Sequence, residues 1–266
     1  MDLSAIRAYA EQTAVLAGET AMRYFRQPQK IDTKRNIRDV VTEGDKASEG
    51  VILPRLREAY PQFGIMSEES GLKDVPDAEY FWHVDPIDGT TNFAAGLPHF
   101  SISIALADLA KRPLVGVVYD PCYKELFSAA RGLGATLNGT AIHASGTPVL
   151  EQALLSSGFS VDRNGREIGN LSLWHDMLLH CRDLRRLGSA ALDLAYVGAG
   201  RLDGYWERGL NSWDILAGIL VAQEAGGRVT DYHGGEADLY GRGEVAATNG
   251  HIHAEVLAVM AEVEGH

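Results

Sequence analysis

Cysteine is nearly absent from this chain: its 266 residues include two, Cys122 and Cys181, far apart and in no CxxC pair. That excludes a zinc ribbon or a disulfide framework and points to a reducing, cytoplasmic setting, with both thiols acting as small buried hydrophobes. No run of about 18 apolar residues occurs, so no membrane span is expected. The opening Met-Asp-Leu-Ser-Ala-Ile-Arg has no basic stretch leading into an apolar core, so no signal peptide is expected. Basic residues are in deficit, 24 Lys and Arg against 36 Asp and Glu, for a formal net charge of -12. A broad basic face for nucleic acid is therefore not expected. There is no internal repeat and no low-complexity linker.

What remains is an ordinary globular composition, 45% hydrophobic and 23% charged. The length suits one large domain or two tightly joined lobes. An acidic protein can still take an anionic substrate where bound cations invert the local charge.

Apolar periodicity predicts a helix over residues 3–25, with Leu3, Ile6, Ala10, Ala14, Ala17, Ala21 and Phe25 on one stripe. A second helix is expected over 43–60, kinked or split at Pro54. Strands follow at 65–66, 81–84, 100–109, 114–119, 125–130 and 134–137, with Asn138-Gly139 as a hairpin turn. Beyond about residue 146 the pattern alternates: strand 153–157, helices 170–181 and 189–198, strand 202–206, helix 213–225, strand 228–231 and helix 251–261. The order implies an α/β fold of layered sheets and helices, with an N-terminal α+β lobe over 1–145 and a C-terminal α/β lobe over 146–266. His251 and His253 have HxH spacing without a third ligand and read as a solvated helix start. His83 reads as a strand-packing residue.

Four acidic positions stand at element boundaries. Glu68-Glu69 follows a short strand, Asp85 and Asp88 follow the strand ending at Val84, and Asp214 opens a helix. Strand ends and helix starts project binding groups from a rigid scaffold, and hard cations such as magnesium take oxygen ligands. Pro86 is expected to turn the backbone sharply, aiming both aspartates and the Ile87 carbonyl at one point. Gly89 permits close approach of a ligand, and Thr90, Thr91 and Asn92 are helix-capping types whose free amides suit a phosphate oxygen. The same spacing also fits a polar loop held by Asx turns.

Longer motifs separate these readings. Trp82-His83-Val84-Asp85-Pro86-Ile87-Asp88-Gly89-Thr90-Thr91-Asn92-Phe93 resembles the W-x-x-D-P-I/L-D-G-T-T-N-F signature of the inositol monophosphatase family of magnesium-dependent, lithium-sensitive phosphatases. Trp213-Asp214-Ile215-Leu216-Ala217-Gly218 resembles that family's W-D-x-A-A-G, with Leu216 replacing the first alanine. Asp39-Val40-Val41-Thr42-Glu43-Gly44-Asp45, Ser67-Glu68-Glu69-Ser70, the Gly132 to Gly139 hairpin and Arg185-Arg186-Leu187-Gly188-Ser189-Ala190-Ala191 extend the likeness over nearly the whole chain.

The resemblance implies an αβαβα sandwich of the sugar-phosphatase type, two or three Mg2+ ions, a homodimer, and hydrolysis of a small phosphate monoester by metal-activated water. It assigns the metals to Glu68, Asp85, the Ile87 carbonyl, Asp88 and Asp214, with Asp85 bridging two of them. Glu68 and Thr90 would orient the attacking water, supported by Asp45 and Thr42. The amides of Gly89 and Thr90, beside Thr91, would hold phosphate. Asp88, Asp214, Glu207, Arg185 and the Gly188-Ser189-Ala190 backbone would face the substrate, with Lys34 as a charge-balancing donor. For Arg185 a surface ion pair fits equally well. Inositol 1-phosphate is the expected substrate. Histidinol phosphate, fructose 1,6-bisphosphate and 3'-phosphoadenosine 5'-phosphate are alternatives, as is a non-catalytic role as a phosphate-ligand binder or regulator. The polar stretch 158–169 is a candidate pocket loop.

Overall fold

The computed structural model describes residues 1–28, 31–33, 40–73, 75–159, 170–241 and 243–264. The elements of the first half are α1 (Leu3–Met22), β1 (Ile31–Thr33), β2 (Val40–Thr42), α2 (Glu43–Ala59), β3 (Gly64–Ser67), β4 (Gly71–Lys73), β5 (Tyr80–Asp88), α3 (Thr90–Ala95), β6 (Ser101–Asp108), β7 (Pro113–Asp120), β8 (Glu125–Ala130), β9 (Ala135–Leu137) and β10 (Thr140–Ala141). The second half holds β11 (Leu154–Ser157), α4 (Asn170–His180), β12 (Asp183–Arg185), α5 (Ala190–Gly198), β13 (Gly204–Glu207), α6 (Ser212–Glu224), β14 (Arg228–Thr230), α7 (Ala237–Gly241), β15 (Val245–Thr248) and α8 (His253–Glu264).

One sheet has eight strands in the order β10-β9-β8-β7-β6-β5-β3-β4, antiparallel except for the parallel pair β3–β5. A second has five in the order β12-β11-β13-β15-β14, and β1 and β2 pair separately. Side-chain alternation builds the layers. On β6, Ile102, Ile104 and Leu106 join Ile6, Ala10, Ile52 and Leu56 of α1 and α2. The intervening Ala105 and Ala107 join Ala191, Leu194, Ala217 and Leu220 of α5 and α6. The same period-two rule splits the smaller sheet: Val245 and Ala247 face α5 and α6, while Ala246 and Trp206 face Leu173 of α4 and Val256 of α8. The result is a five-layer αβαβα sandwich, as the resemblance implied. No helix among the described residues is long and apolar enough to cross a membrane.

Three local expectations need correction. Pro54 does not split its helix, which runs unbroken over Glu43–Ala59. It falls on the exposed side, and the carbonyl it deprives of a partner belongs to exposed Gly50, where water can satisfy it. β5 does not end at Val84 but continues to Asp88. The expected sharp turn at Pro86 is a bulge: Asp85 pairs with Ser103 and Asp88 with Ser101, so three steps on β5 oppose two on β6. His253 is not solvated. It is buried, with Nε2 2.9 Å from Thr230 Oγ1 and Nδ1 3.0 Å from Thr248 Oγ1, and so ties β14 and β15 to the start of α8.

Burial, with Arg228 nearby, lowers the His253 pKa to about 4. The unfolded chain therefore binds the extra proton between pH 6.5 and about 4, and the contribution of His253 to stability falls as pH drops through that window. The urea midpoint of the wild type should exceed that of His253→Gln at pH 7.5 and lose much of its lead at pH 5. An equal lead at both pH values would contradict the assignment.

Candidate active site

The site is assembled from the ends of β3, β5 and β13 and the starts of α3, α5 and α6. The β5 bulge presents Asp85 and Asp88 close together, and the Asp85 carboxylate accepts the Ile87 amide at 3.0 Å. Ser48 of α2 donates to the Pro86 carbonyl at 2.8 Å, fixing the bulge from behind. Gly89 follows with φ +96°, and a Cβ there would stand 3.1 Å from the Gly188 carbonyl oxygen and 3.2 Å from that of His99, so glycine is required. Glu68 sits at the end of β3, its amide donating to the Val84 carbonyl at 3.1 Å. Asp214 enters from the first turn of α6. It completes a capping box there, its Oδ2 accepting the Asn211 amide at 2.6 Å.

The N-terminus of α5 closes the far side. Asp88 Oδ2 accepts the Ser189 hydroxyl at 2.5 Å and the Ala191 amide at 2.8 Å. A second capping box lies behind Thr90. Asp45 Oδ2 accepts the amide and hydroxyl of Thr42 at 2.8 and 2.6 Å, leaving Oδ1 to accept the Thr90 hydroxyl at 3.2 Å. The Thr90 hydroxyl also lies 3.0 Å from the Ile87 carbonyl oxygen.

Together these groups enclose a cavity of about 200 Å³ lined by Glu68, Asp85, Ile87, Asp88, Gly89, Thr90, Gly188, Ser189, Ala190, Glu207 and Asp214. Thr91 lines an adjoining cavity that shares Glu68, Gly89, Thr90 and Gly188. Thr42 and Asp45 are buried behind the wall rather than on it. Arg185 is not brought to the cavity: its guanidinium is exposed and pairs with Asp183 at 2.5 Å. The neighbouring Arg186 lines both cavities instead, because β12 ends at Arg185 and successive side chains there point apart. The paired arginines were the available signal, and residue alternation was the missing step. Asp193 and Tyr205 also line the cavity and escaped the sequence reading. Lys34 and residues 160–169 of the expected pocket loop lie outside the described residues.

Burial and mutual repulsion act on these carboxylates together. The Asp85 pKa is raised well above the carboxylate range, first by burial and then by the charges of Glu68, Asp88 and Asp214. Asp214 is raised in the same way by burial, Glu68 and Asp88, against the lowering effect of the Asn211 amide. Asp88 is raised to about 7, chiefly by burial, despite its bonds from Ser189 and Ala191.

A hard divalent cation fits this donor set, which offers carboxylate and carbonyl oxygens and is strained for want of positive charge. Among the described residues no three acidic or histidine side chains already close on one point. Asp88 and Asp214 each spend one oxygen on a helix start, leaving the other for the cavity.

Sandwich and oxygen-lined cavity together mark a hydrolase of phosphate monoesters. The chain belongs to the inositol monophosphatase family, whose model matches residues 2–264. It is 42% identical to the inositol-1-monophosphatase of Synechocystis over 98% of this chain and 90% of that protein. It is also 42% identical to a protein named Nus factor SuhB from Pasteurella multocida, over 90% of this chain and 86% of the relative. The solved inositol monophosphatase of Anabaena superposes with a TM-score of 0.87 at 40% identity, covering 98% of this chain and 97% of that one.

Raised carboxylates stabilise the fold when protonated and cease to do so as pH rises through their folded values. At pH 8 in chelator the cluster is therefore a net burden. Asp85→Asn should melt about 2–4 °C above the wild type there, since about 1 kcal/mol corresponds to about 2–4 °C at this chain length. It should also gain less from added Mg2+. Calorimetry showing a lower melting point in chelator would refute this.

Proposed function

We propose that the chain hydrolyses inositol 1-phosphate to inositol and phosphate with two or three bound Mg2+ ions. The observation that carries this reading is that Glu68, Asp85, Asp88 and Asp214 line one cavity together with Glu207. In this reading Glu68, Asp85, the Ile87 carbonyl, Asp88 and Asp214 hold the metals. Bound there, they would supply Lewis-acid chemistry, acidifying the attacking water and neutralising charge on the phosphoryl and leaving oxygens.

The protein's own part is orientation. The Thr90 hydroxyl has its proton directed toward Asp45 Oδ1 and the Ile87 carbonyl, so its lone pairs face the cavity and, with Glu68, align the water. The amides of Gly89 and Thr90 hold phosphate oxygens. Water attacks phosphorus in line with the departing alcohol, and no phosphoenzyme is required.

The alcohol wall is acidic. Glu207 is buried, accepts the Tyr205 hydroxyl at 2.6 Å, and lines the same cavity as Asp193. The Gly158 backbone passes so close to Glu207 that a side chain there would overlap its carboxylate. Acceptors of this kind suit a polyol rich in hydroxyl donors and repel a second phosphate, which favours inositol 1-phosphate over fructose 1,6-bisphosphate or 3'-phosphoadenosine 5'-phosphate. Histidinol phosphate, bearing an ammonium group, is the closer competitor. The division of labour follows the chain: the lobe over 1–145 supplies most metal oxygens, and the lobe over 146–266 supplies Asp214 and the alcohol wall. A homodimer in a reducing cytoplasm is consistent with the family likeness and with two free cysteines.

The relatives named Nus factor SuhB raise a second reading, a regulatory role on the same fold. A regulator freed from catalysis has no need of a buried, mutually repelling carboxylate set, so retention of that set favours the enzyme.

Phosphate release should be fastest from inositol 1-phosphate across the four esters and should vanish in excess chelator. Glu207→Gln should lower kcat/KM for inositol 1-phosphate by about 10–100-fold, the worth of one charged hydrogen bond, while sparing a small acyclic ester such as glycerol 2-phosphate. Faster turnover of histidinol phosphate would reassign the substrate, and full activity in chelator would remove the metals.

A further inference from the structure

The Thr42-Asp45 box explains only the first turn of α2. The next turn also faces the site. Asp45, Ser48 and Glu49 stand at i, i+3 and i+4, on one face of the helix. Each meets a different segment. Asp45 Oδ1 takes the Thr90 hydroxyl at 3.2 Å, Ser48 donates to the Pro86 carbonyl at 2.8 Å, and Glu49 Oε1 accepts both the Ser67 hydroxyl at 2.5 Å and the Ser70 amide at 3.1 Å. Ser67 precedes Glu68 and Ser70 follows Glu69, so a single oxygen of Glu49 grips both ends of the turn that carries Glu68. The same face continues into Ile52 and Leu56, both fully buried in the core of the larger sheet.

We propose that Glu49, assisted by Ser48, is a positioning residue that sets the metal-holding geometry of Glu68 relative to Asp85 and Asp88. The proposal rests on the metal-dependent reading of the cavity. The β5 side of the Glu68 turn is tied by the Glu68 amide to the Val84 carbonyl. The α2 side is tied through Glu49, and Ser67 is fully buried. Without an acceptor at Glu49, that hydroxyl and the Ser70 amide lose their partner, and the turn must move to find water or another acceptor. Glu68 moves with it. Glu49 thus acts through bond acceptance, and its charge is secondary. Glutamine keeps an oxygen in the same place and should substitute for it.

The test is isothermal titration of Mg2+ alone into the metal-stripped full chain. Glu49→Leu should weaken binding about 10–100-fold, the usual consequence of losing a group that orients a ligand. Glu49→Gln should stay within about threefold of the wild type, as should Glu58→Leu on the exposed face of α2. At saturating Mg2+ the KM of Glu49→Leu for inositol 1-phosphate should be unchanged, because the alcohol wall is untouched. If Glu49→Leu does not fold, Ser67→Ala removes one of the two bonds and should still weaken Mg2+ binding severalfold. A folded Glu49→Leu or Ser67→Ala binding like the wild type overturns the proposal. So does a Glu49→Gln as weak as Glu49→Leu, which would make charge the cause. A wild type that binds no Mg2+ overturns the metal reading beneath it.

Discussion

Carboxylates repel one another most where water is excluded, and the core of this chain holds several in that condition. Asp85 is almost wholly buried, within electrostatic reach of Glu68, Asp88 and Asp214. Left to relax, such groups would swing apart or keep their protons. The surrounding structure holds them together: a bulge in β5, a parallel neighbour in β3, and the N-termini of α5 and α6 pressed against the same face of the sheet. The fold stores a local instability at a place where a cation can relieve it.

Sequence made the chemistry legible before the geometry. Asp85-Pro86-Ile87-Asp88-Gly89-Thr90 gathers metal and phosphate groups in one short run, so spacing alone suggested an oxygen site. Long helices such as α1 and α6 were placed to within three residues by their apolar patterns. What escaped were features set by long-range pairing. The alanine-rich β15 has little intrinsic strand preference and is made a strand by β13 and β14 on either side. Arg185 and Arg186 cannot be told apart until β12 fixes which one faces the cavity. His253 reads as solvated until the two threonines that bracket it arrive from strands about two dozen and five residues upstream.

Pro54 and Glu49 illustrate the same limit within one helix. Local rules condemn the first and ignore the second. Tertiary context reverses both, exposing the carbonyl that Pro54 leaves unpaired and turning Glu49 toward a loop that is remote in sequence. α2 thereby works as a rod seated in the apolar core at one end and meeting three separate site segments at the other.

The two capping boxes have a further consequence for how relatives are interpreted. Asp214 serves a helix start as well as the cavity, and Asp45 serves a helix start as well as Thr90 behind the cavity wall. A descendant that abandoned hydrolysis for another occupation would still be under pressure to keep both, simply to fold. Their persistence in a homologue is therefore poor testimony to catalysis. Asp85 bears witness more reliably. It caps no helix, its charge strains the interior, and drift would be expected to erase it first once the chemistry ceased to matter.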